Sequence, residues 1–316
     1  MARIVVLGSL NVDLVVTVPR LPRPGETVLG DGLRSCPGGK GANQAVAAAR
    51  LGGQVAMIGR VGDDGFGAGL IENLDRNGVD SSGVDRDPAA PTGAALIFVE
   101  AGGQNMIAVA PGANAVVGPS DAQRAAARLG PGDLLVMQLE IPMAVVERAV
   151  QAARRAGAFV LLNAAPAQRL EPGLLSQLDA LVVNEREANA LAANEREANA
   201  LVDHDDPSTI AAALLTLGPK IVIVTLGPSG SVFCDDTGVH RVEPFAVESI
   251  DATGAGDAFV GALAVGFARR LPIETAVRFG NAAGAAATSS VGAQAALPGL
   301  DDLRRRFGVD LSSSEL

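Results

Sequence analysis

Residues 133–163, DLLVMQLEIPMAVVERAVQAARRAGAFVLLN, decide the fold. The stretch opens and closes on apolar runs, at 133–139 and 158–163, and the segment between them, 142–156, repeats its apolar residues at helical spacing. Each run is continuous rather than alternating, which is typical of a strand covered on both faces. A strand, a helix and a second strand in this order predict a parallel β-α-β unit.

The same alternation continues on both sides of this unit. Further apolar runs predict strands at 3–8, 54–59, 180–184 and 220–226. Segments with helical spacing predict helices at 42–51, 65–77, 119–129, 207–217, 256–269 and 273–290. We therefore expect an α/β protein with a doubly wound, mostly parallel sheet flanked by helices, whose body comprises residues 1–10, 35–91 and 111–316.

Two segments, 11–34 and 92–110, interrupt this rhythm. The first carries alternating Leu and Val with several prolines, and the second contains two apolar stretches separated by a turn at 101–103. Neither has helical spacing, so together they predict a small β-sheet that projects from the body. Ligands of open α/β sheets bind beyond the carboxyl ends of the strands, and we expect this sheet to close over that edge as a lid.

The composition excludes several classes of protein. With 316 residues and a net charge of −10, the chain is unsuited to nucleic acid or to an anionic membrane surface. No apolar run reaches the roughly 18 residues that a membrane span requires. Cys36 and Cys234 have neither metal-ligand nor disulfide-framework spacing, which favours a cytoplasmic location. His204 and His240 are the only histidines, which argues against a histidine triad or a histidine-rich metal site.

The motif DATGAGDAF at 251–259 places a glycine-rich turn at the start of the predicted helix 256–269. A helix N-terminus offers unpaired N–H groups, and glycines let a phosphate approach the backbone closely. Asp257 lies in the first turn of this helix, where a carboxylate could accept a hydroxyl proton during phosphoryl transfer. The alternative is an acidic residue that merely caps a helix after a flexible turn.

A second glycine-rich turn, CPGGKGANQ at 36–44, opens the helix 42–51. The spacing does not match the phosphate-binding loop GxxxxGK[ST]. Lys40 and Asn43 could instead hydrogen-bond the hydroxyl groups of a sugar. The alternative is a tight turn and helix cap with a solvated Lys40.

Polar residues also follow the first strand, in GSLNVD at 8–13. The dinucleotide fingerprint GxGxxG is absent there, which argues against a dehydrogenase. Asn11 and Asp13 lie two residues apart on an extended segment and therefore point to one side, as contacts to adjacent hydroxyls require. Glu140, just after the strand at 133–139, is a similar candidate. Residues of this kind also form turns, and that alternative stays open.

Candidate nucleotide contacts follow the later strands. TLGPSG at 225–230 comes after one strand, and Asn281 lies in an Ala/Gly-rich helix that would leave a slot for a flat ring. Close helix packing explains the small residues equally well. Asn184 and Glu187 follow the strand 180–184 and could orient metal-bound water, since Mg²⁺ keeps several of its waters. A helix N-cap is the alternative for this pair.

The sequence NEREANAL occurs at 184–191 and again at 194–201. Ten residues rotate a helix so that the second copy lies roughly 80° from the face of the first. The two copies cannot present the same side chains to one ligand. We interpret the repeat as a local duplication that lengthens a surface helix.

Taken in order along the chain, these motifs resemble the PfkB family of carbohydrate kinases. The resemblance covers about residues 4–298 and includes PGET at 24–27, GGKGANQAVAAARLG at 38–52 and MQLE at 137–140. It implies ATP-dependent phosphorylation of a sugar, with D-ribose as the expected acceptor at O5. Fructose, 2-deoxyribose or a nucleoside are alternative acceptors, and a non-catalytic sugar-binding protein of the same fold is a further alternative.

The resemblance also implies roles for individual residues. Asp257 would be the catalytic base, beside an anion hole formed by the amides of Gly254, Ala255, Gly256 and Asp257. The sugar would be held, together with Asp257, by Asn11, Asp13, Gly39, Lys40, Asn43 and Glu140. ATP would be contacted by Asn184, Thr225, Gly227, Gly230, Gly256 and Asn281.

Metal sites and a dimer follow from the same resemblance. Glu187 would organise Mg²⁺ through water. A monovalent cation, K⁺, would be surrounded by Asp251, Thr253, Ala287, Ser290, Gly292 and Ala296. The first NEREANAL copy is expected to act, because Asn184 follows the strand directly; if residues 184–193 bulge out, Asn194 and Glu197 take over. A homodimer through the lid is implied.

Overall fold

The computed structural model describes residues 1–100, 102, 104–196, 206–309 and 311, with the backbone alone for 193–196. The strands in chain order are β1 (Arg3–Leu7), β2 (Asn11–Val18), β3 (Asp31–Gly38), β4 (Gln54–Gly62), β5 (Asp80–Asp87), β6 (Gly93–Glu100), β7 (Asn105–Ala110), β8 (Leu134–Met137), β9 (Phe159–Asn163), β10 (Ala180–Asn184), β11 (Ile221–Thr225), β12 (Ser231–Asp235) and β13 (Gly238–Val242). The helices are α1 (Lys40–Arg50), α2 (Gly65–Arg76), α3 (Pro119–Ala127), α4 (Met143–Arg155), α5 (Pro172–Leu175), α6 (Glu185–Arg196), α7 (Pro207–Leu215), α8 (Ala255–Ala268), α9 (Ile273–Ala287), α10 (Ala293–Ala296) and α11 (Leu300–Phe307). Short 3-10 helices lie at Gly112–Val116 and Gly227–Ser229.

Nine of these strands form one sheet, in the order β13-β12-β11-β10-β9-β8-β1-β4-β5. Neighbouring strands from β11 to β5 pair in parallel, and β12 and β13 add an antiparallel hairpin at one edge. Side chains of β1 alternate between two buried clusters, because Ile4 and Val6 pack with α1 and α8 whereas Val5 and Leu7 pack with α3 and α4. Burial on both faces confirms the predicted doubly wound α/β sheet.

All the strands predicted for the body are present, as β1, β4, β8, β9, β10 and β11. The prediction missed β5, whose sequence DSSGVDRD is polar because this strand lies at the sheet edge, where one side faces solvent. It also missed the hairpin of β12 and β13 that closes the opposite edge. None of the described helices combines the length and the apolar character that crossing a bilayer requires.

A second sheet, which we call the lid sheet, has the order β3-β2-β6-β7. Its strands lie in the segments 11–34 and 92–110, except that β3 continues to Gly38, four residues beyond the expected boundary. Residues 35–38 therefore extend the lid sheet and do not belong to the body, because they stay paired with the start of β2. Asn11 and Asp13 both lie on β2, on one face of this sheet. That this sheet acts as a lid stays a prediction.

Candidate active site

Asp257 lies in the first turn of α8, as predicted. The helix begins after Gly254, whose φ of 79° is in the left-handed region that favours glycine. In the described part of the chain, the N–H groups of Gly254, Gly256 and Asp257 have no hydrogen-bond acceptor. Ala255 differs from the prediction, because its N–H already donates to the Ala252 carbonyl over 3.2 Å. The helix start therefore offers three unpaired amides to an anion.

The Asp257 carboxylate is buried and held by two side chains of α1. Asn43 Nδ2 donates to Oδ2 over 2.8 Å, and Gln44 Nε2 donates to Oδ1 over 2.9 Å. The helices approach closely because Gly261 has no side chain: a Cβ there would lie 2.5 Å from the Cβ of Ala47. Both helices thereby bring polar groups that are distant in sequence to one point.

Sequence reasoning assigned Gln44, Gln138 and Asn163 no function, yet these buried amides form a hydrogen-bonded chain that ends on Asp257. Each lies in or beside an apolar stretch, ANQAVAAA, LLVMQL and FVLLN respectively. A polar amide inside such a stretch requires a partner when it is buried. A polar amide within an apolar stretch was therefore the sequence signal that could have identified these three residues.

Glu140 is fixed at the end of the strand that precedes it. Ser9 Oγ donates to its Oε2 over 2.5 Å, and the backbone N–H of Lys40 donates to the same oxygen over 3.0 Å. Ser9 Oγ in turn accepts from the N–H of Gly41 over 3.2 Å. Hydrogen bonds thus join the Glu140 carboxylate, the residue after β1 and the glycine-rich turn. In that turn, Gly39 has a φ of 87° and immediately precedes α1.

Asp13 and Lys40 complete a charged cluster around Asp257. Burial, together with the negative charges of Glu140 and Asp257, raises the pKa of Asp13 to about 7. The charge of Asp257, with that of Glu140 and Glu187, raises the pKa of Lys40 although burial opposes the change. The predicted sugar-binding carboxylates and the lysine therefore lie close enough to Asp257 to interact with its charge.

Asn11 is also buried at this place, and its side chain is positioned by Asn114. Asn114 Nδ2 donates to Oδ1 of Asn11 over 2.7 Å. Asn11 and Glu140 line a pocket together with Val109 and Pro111. Sequence reasoning did not identify Asn114, because it lies in a short 3-10 helix with no motif around it.

An adjoining cleft of about 350 Å³ brings together Thr225, Gly227, Gly230, Gly256 and Asn281, as predicted. Phe245, Val247 and Phe259 give this cleft an apolar wall, and a Cβ on Gly256 would point into open space. Asn281 Nδ2 donates to the carbonyls of Val242 and Glu243, over 3.2 and 3.1 Å. Both hydrogens of its NH₂ group therefore hold the cleft wall, and no donor to Oδ1 is present among the residues that the structure describes.

Asn184 and Glu187 form a reciprocal cap at the start of α6. Asn184 Oδ1 accepts from the N–H of Glu187 over 2.8 Å, and Glu187 Oε2 accepts from the N–H of Asn184 over 2.9 Å. The helix-cap alternative therefore describes these contacts, and Asn184 does not line the cleft. Burial and the charge of Asp257 raise the pKa of Glu187, so this carboxylate faces the charged cluster. The backbone of Asn194 lies inside α6, as expected, whereas Glu197 lies outside the described residues.

The predicted cation loop is assembled around Asp251. Its Oδ1 accepts from the N–H and hydroxyl of Thr253, over 2.9 and 2.6 Å, and its Oδ2 accepts from the N–H of Gly292 over 2.8 Å. Burial alone would raise the pKa of Asp251, but these hydrogen bonds, together with the charge of the Arg34 guanidinium, lower it. Residues 250 and 251 are further tied to the Thr288 carbonyl, between Ala287 and Ser290. Ala296 is buried in α10.

A buried carboxylate held by two amides, at a helix start with unpaired N–H groups and surrounded by further charged groups, defines a phosphotransferase that acts on a small alcohol. The sequence profile described as pfkB family carbohydrate kinase matches residues 1–300. The chain belongs to the pfkB family of carbohydrate kinases, as the motifs indicated.

Individual relatives cover nearly the whole chain. The chain is 38% identical to a ribokinase of Haemophilus influenzae, over 93% of this chain and 94% of the relative. A ribokinase structure from Thermotoga maritima has a TM-score of 0.87 at 34% identity, covering 98% of this chain and all of the other. The structure of Arabidopsis thaliana ribokinase complexed with ribose and ATP has a TM-score of 0.85 at 30% identity, covering 96% of this chain and 98% of the other.

Proposed function

We propose that this protein transfers the γ-phosphoryl group of ATP to O5 of D-ribose. The observation that carries the proposal is the position of Asp257. Its carboxylate is fixed by Asn43 and Gln44 and stands beside three unpaired amides of the same helix start. One group can take the hydroxyl proton while the other stabilises the migrating phosphoryl group. The similarity to ribokinases over nearly the whole chain supports ribose as the acceptor.

The residues around Asp257 include the groups that a pentose requires. Asn11, Asp13, Lys40 and Glu140 present acceptors and a donor around the base. Asn43 Oδ1 is buried and has no hydrogen-bond partner among the described residues, although its Nδ2 is engaged by Asp257. A buried acceptor of this kind is costly unless a ligand hydroxyl donates to it. We assign this atom to a sugar hydroxyl.

The apolar cleft is proposed as the site of ATP, with the adenine between Phe245, Val247 and Asn281. The phosphates would then extend toward Gly256 and the unpaired amides of α8. Glu187 fits a water-mediated Mg²⁺ ion, because its Oε1 has no partner among the described residues while Oε2 is engaged. Bound Mg²⁺ neutralises phosphate charge. The chain's own contribution is to hold the alcohol, its base and the phosphate in line while excluding water.

A K⁺ ion is proposed for the loop at Asp251, with Thr253, Ala287, Ser290, Gly292 and Ala296 around it. Both carboxylate oxygens of Asp251 already accept hydrogen bonds, and within the described ranges no three His, Cys, Asp or Glu side chains converge. This donor set fits a weakly bound monovalent cation held mainly by main-chain carbonyls. Such an ion would stiffen the loop that leads into the anion hole.

A homodimer through the lid sheet is proposed from its apolar face. The register aligns Leu33, Val16, Phe98 and Met106 in one row across all four strands. This row lies on the face opposite Asn11 and Asp13, and Leu33 and Met106 are 67% and 48% exposed. A second copy can cover such a row by a two-fold axis, because the same patch meets itself. We also propose a cytoplasmic location, since Cys36 and Cys234 are both free thiols.

The decisive experiment measures ADP release from ATP with a panel of acceptors, in the presence and absence of K⁺. D-Ribose, 2-deoxyribose, fructose and a nucleoside are compared at equal concentration. The proposal predicts the highest kcat/KM for D-ribose, and the product is identified as the 5-phosphate by ³¹P and ¹H NMR. If another acceptor has a higher kcat/KM, that acceptor and not ribose is the preferred substrate. If none of the four acceptors causes ADP release, the proposed kinase activity is contradicted.

A further inference from the structure

The buried amide chain behind Asp257 has a defined direction. Gln44 Nε2 donates both to Asp257 Oδ1 and to Asn163 Oδ1, over 2.9 and 3.0 Å. Gln138 Nε2 donates to Gln44 Oε1 over 2.6 Å. Asn163 Nδ2 donates to the backbone carbonyl of Val182 over 3.2 Å. The side chains of Gln44 and Gln138 are wholly buried, so water cannot substitute for these partners.

The Val182 carbonyl sets this direction, because a carbonyl can only accept. Asn163 must therefore turn its NH₂ group toward Val182 and its Oδ1 toward Gln44. Gln44 must then turn its own NH₂ group toward Asn163, and the second hydrogen of that group points at Asp257. The main chain of β10, through β9, thus fixes the same orientation of the Gln44 amide that the Asp257 carboxylate requires, since an ionised carboxylate also only accepts.

We propose that Gln44 is a positioning residue for the catalytic base, and that this role rests on the proposed kinase function. Gln44 donates to Oδ1 while Asn43 donates to Oδ2, so the carboxylate is held at both oxygens. Two donors from adjacent residues of α1 prevent rotation of the carboxylate plane. Each oxygen keeps a further lone pair, so the held carboxylate can still accept from a substrate hydroxyl.

The function of Gln44 is distinguishable from ordinary packing because the protein offers a control residue. Gln138 is the same residue type, is equally buried and belongs to the same row of hydrogen-bonded amides, but it contacts Gln44 and not Asp257. Replacing either glutamine by methionine keeps the length of the side chain and removes its hydrogen bonds. Gln44→Met breaks three hydrogen bonds and Gln138→Met breaks one, so both variants are expected to lose thermal stability, Gln44→Met more than Gln138→Met.

The test compares Gln44→Met, Gln138→Met and the double variant with the unchanged full-length protein. We measure kcat by ADP release, ribose dissociation constants by calorimetry, and Tm. For Gln44→Met we expect kcat to fall roughly 10²-fold with ribose affinity little changed, because a displaced base affects the reaction more than binding. Gln138→Met should keep a near-normal kcat. The double variant should regain Tm, because Gln44 and Gln138 no longer leave each other unpaired, while its kcat stays low.

Equal kcat losses in the two single variants, or a recovery of kcat with Tm in the double variant, would make Gln44 a structural residue and overturn the inference. A Gln44→Met variant that loses ribose affinity but keeps kcat would overturn it as well. If the unchanged protein releases no ADP with ribose, the proposed function itself fails, and the positioning role fails with it. The unchanged protein thus separates the two failures.

Discussion

Asn114 donates a hydrogen bond from its Nδ2 atom to Oδ1 of Asn11, over 2.7 Å, with both side chains buried. Asn114 also accepts from the N–H of Leu10 over 2.9 Å and donates to its carbonyl over 3.1 Å. Asn11 begins the lid sheet at β2, and Asn114 follows the last lid strand, β7. One amide therefore joins two of the four crossings between the large sheet and the lid sheet, and it orients a proposed sugar contact in the same place.

Asn114→Ala is therefore expected to weaken ribose binding more than it slows the reaction. Asn11 would lose the donor that fixes its amide, and the loss of one to two kcal/mol raises KM for ribose roughly tenfold. Steady-state kinetics with varied ribose measures this change. Asn77→Ala is the control, because Asn77 also links two segments by hydrogen bonds, to Arg50 and Asn73, but lies outside the proposed site. A similar KM in both variants would contradict the positioning of Asn11.

Asp257→Asn is expected to lower kcat by roughly 10³-fold, the order of a lost general base. The substitution also disturbs the hydrogen bonds that hold the side chain of residue 257. An asparagine presents one acceptor and one NH₂ group, so the NH₂ group either meets that of Gln44 or requires the Asn43 amide to turn its Oδ1 toward residue 257. Rapid-quench measurement of the first turnover locates the loss in the chemical step, and calorimetry checks that ribose still binds. Near-normal turnover in this variant would remove Asp257 from the role of base.

The sheet was predictable where its strands are covered on both faces. The runs at 134–137 and 180–184 are continuous and apolar because both faces are buried, and such runs have few alternatives to a strand. β5 was not predictable from the same signal. Its burial is partial and its residues are polar, so pairing with β4 alone makes it a strand.

The candidate site divides in the same physical way. Asp257, Lys40 and Asn43 were predicted because glycines mark the turns that carry them. Gln44 and Asn114 were not, because their contacts join residues separated by 213 and 103 positions, with no local pattern around them. Asn184 and Glu187 were identified, and the helix cap given as their alternative is the contact that the structure shows, because residues three apart at a helix start form it locally.

Asp13→Asn is expected to stabilise the protein at neutral and higher pH. The folded pKa of Asp13 is about 7, against 3.8 for the free side chain, so the folded state holds a proton that the unfolded state has released. Stability from this group is therefore lost as pH rises from about 4 to about 7, with an upper limit of roughly 4 kcal/mol. The Tm difference between variant and unchanged protein should grow over that range and then level off. A difference independent of pH would contradict the raised pKa.

Asp251→Asn is expected to weaken activation by K⁺. The asparagine can still accept from Thr253 through its Oδ1, but its NH₂ group cannot accept the hydrogen bond that Gly292 now donates to Oδ2. The loop would separate from the segment after Ser290, and the K⁺ concentration for half-maximal activity should rise roughly tenfold, as expected for the loss of one hydrogen bond to a charged group. ADP release with varied K⁺ measures it, and Asp235→Asn is the control, because Asp235 accepts from Thr237 in the same way at the distant β12–β13 turn. An unchanged K⁺ dependence would place the cation elsewhere.

Leu33→Lys combined with Met106→Lys is expected to convert the proposed dimer into a monomer. These residues end the apolar row across the lid sheet, and two lysines on each copy would bring four positive charges together at a two-fold interface. Sedimentation equilibrium measures the mass, and Val239→Lys is the control, because Val239 is 42% exposed on β13 at the far edge of the large sheet. If the double variant keeps the mass of the unchanged dimer, the lid face is not the interface. If kcat/KM for ribose also falls in the monomer, the second copy stabilises the lid sheet that carries Asn11 and Asp13, since both faces of that sheet share one backbone.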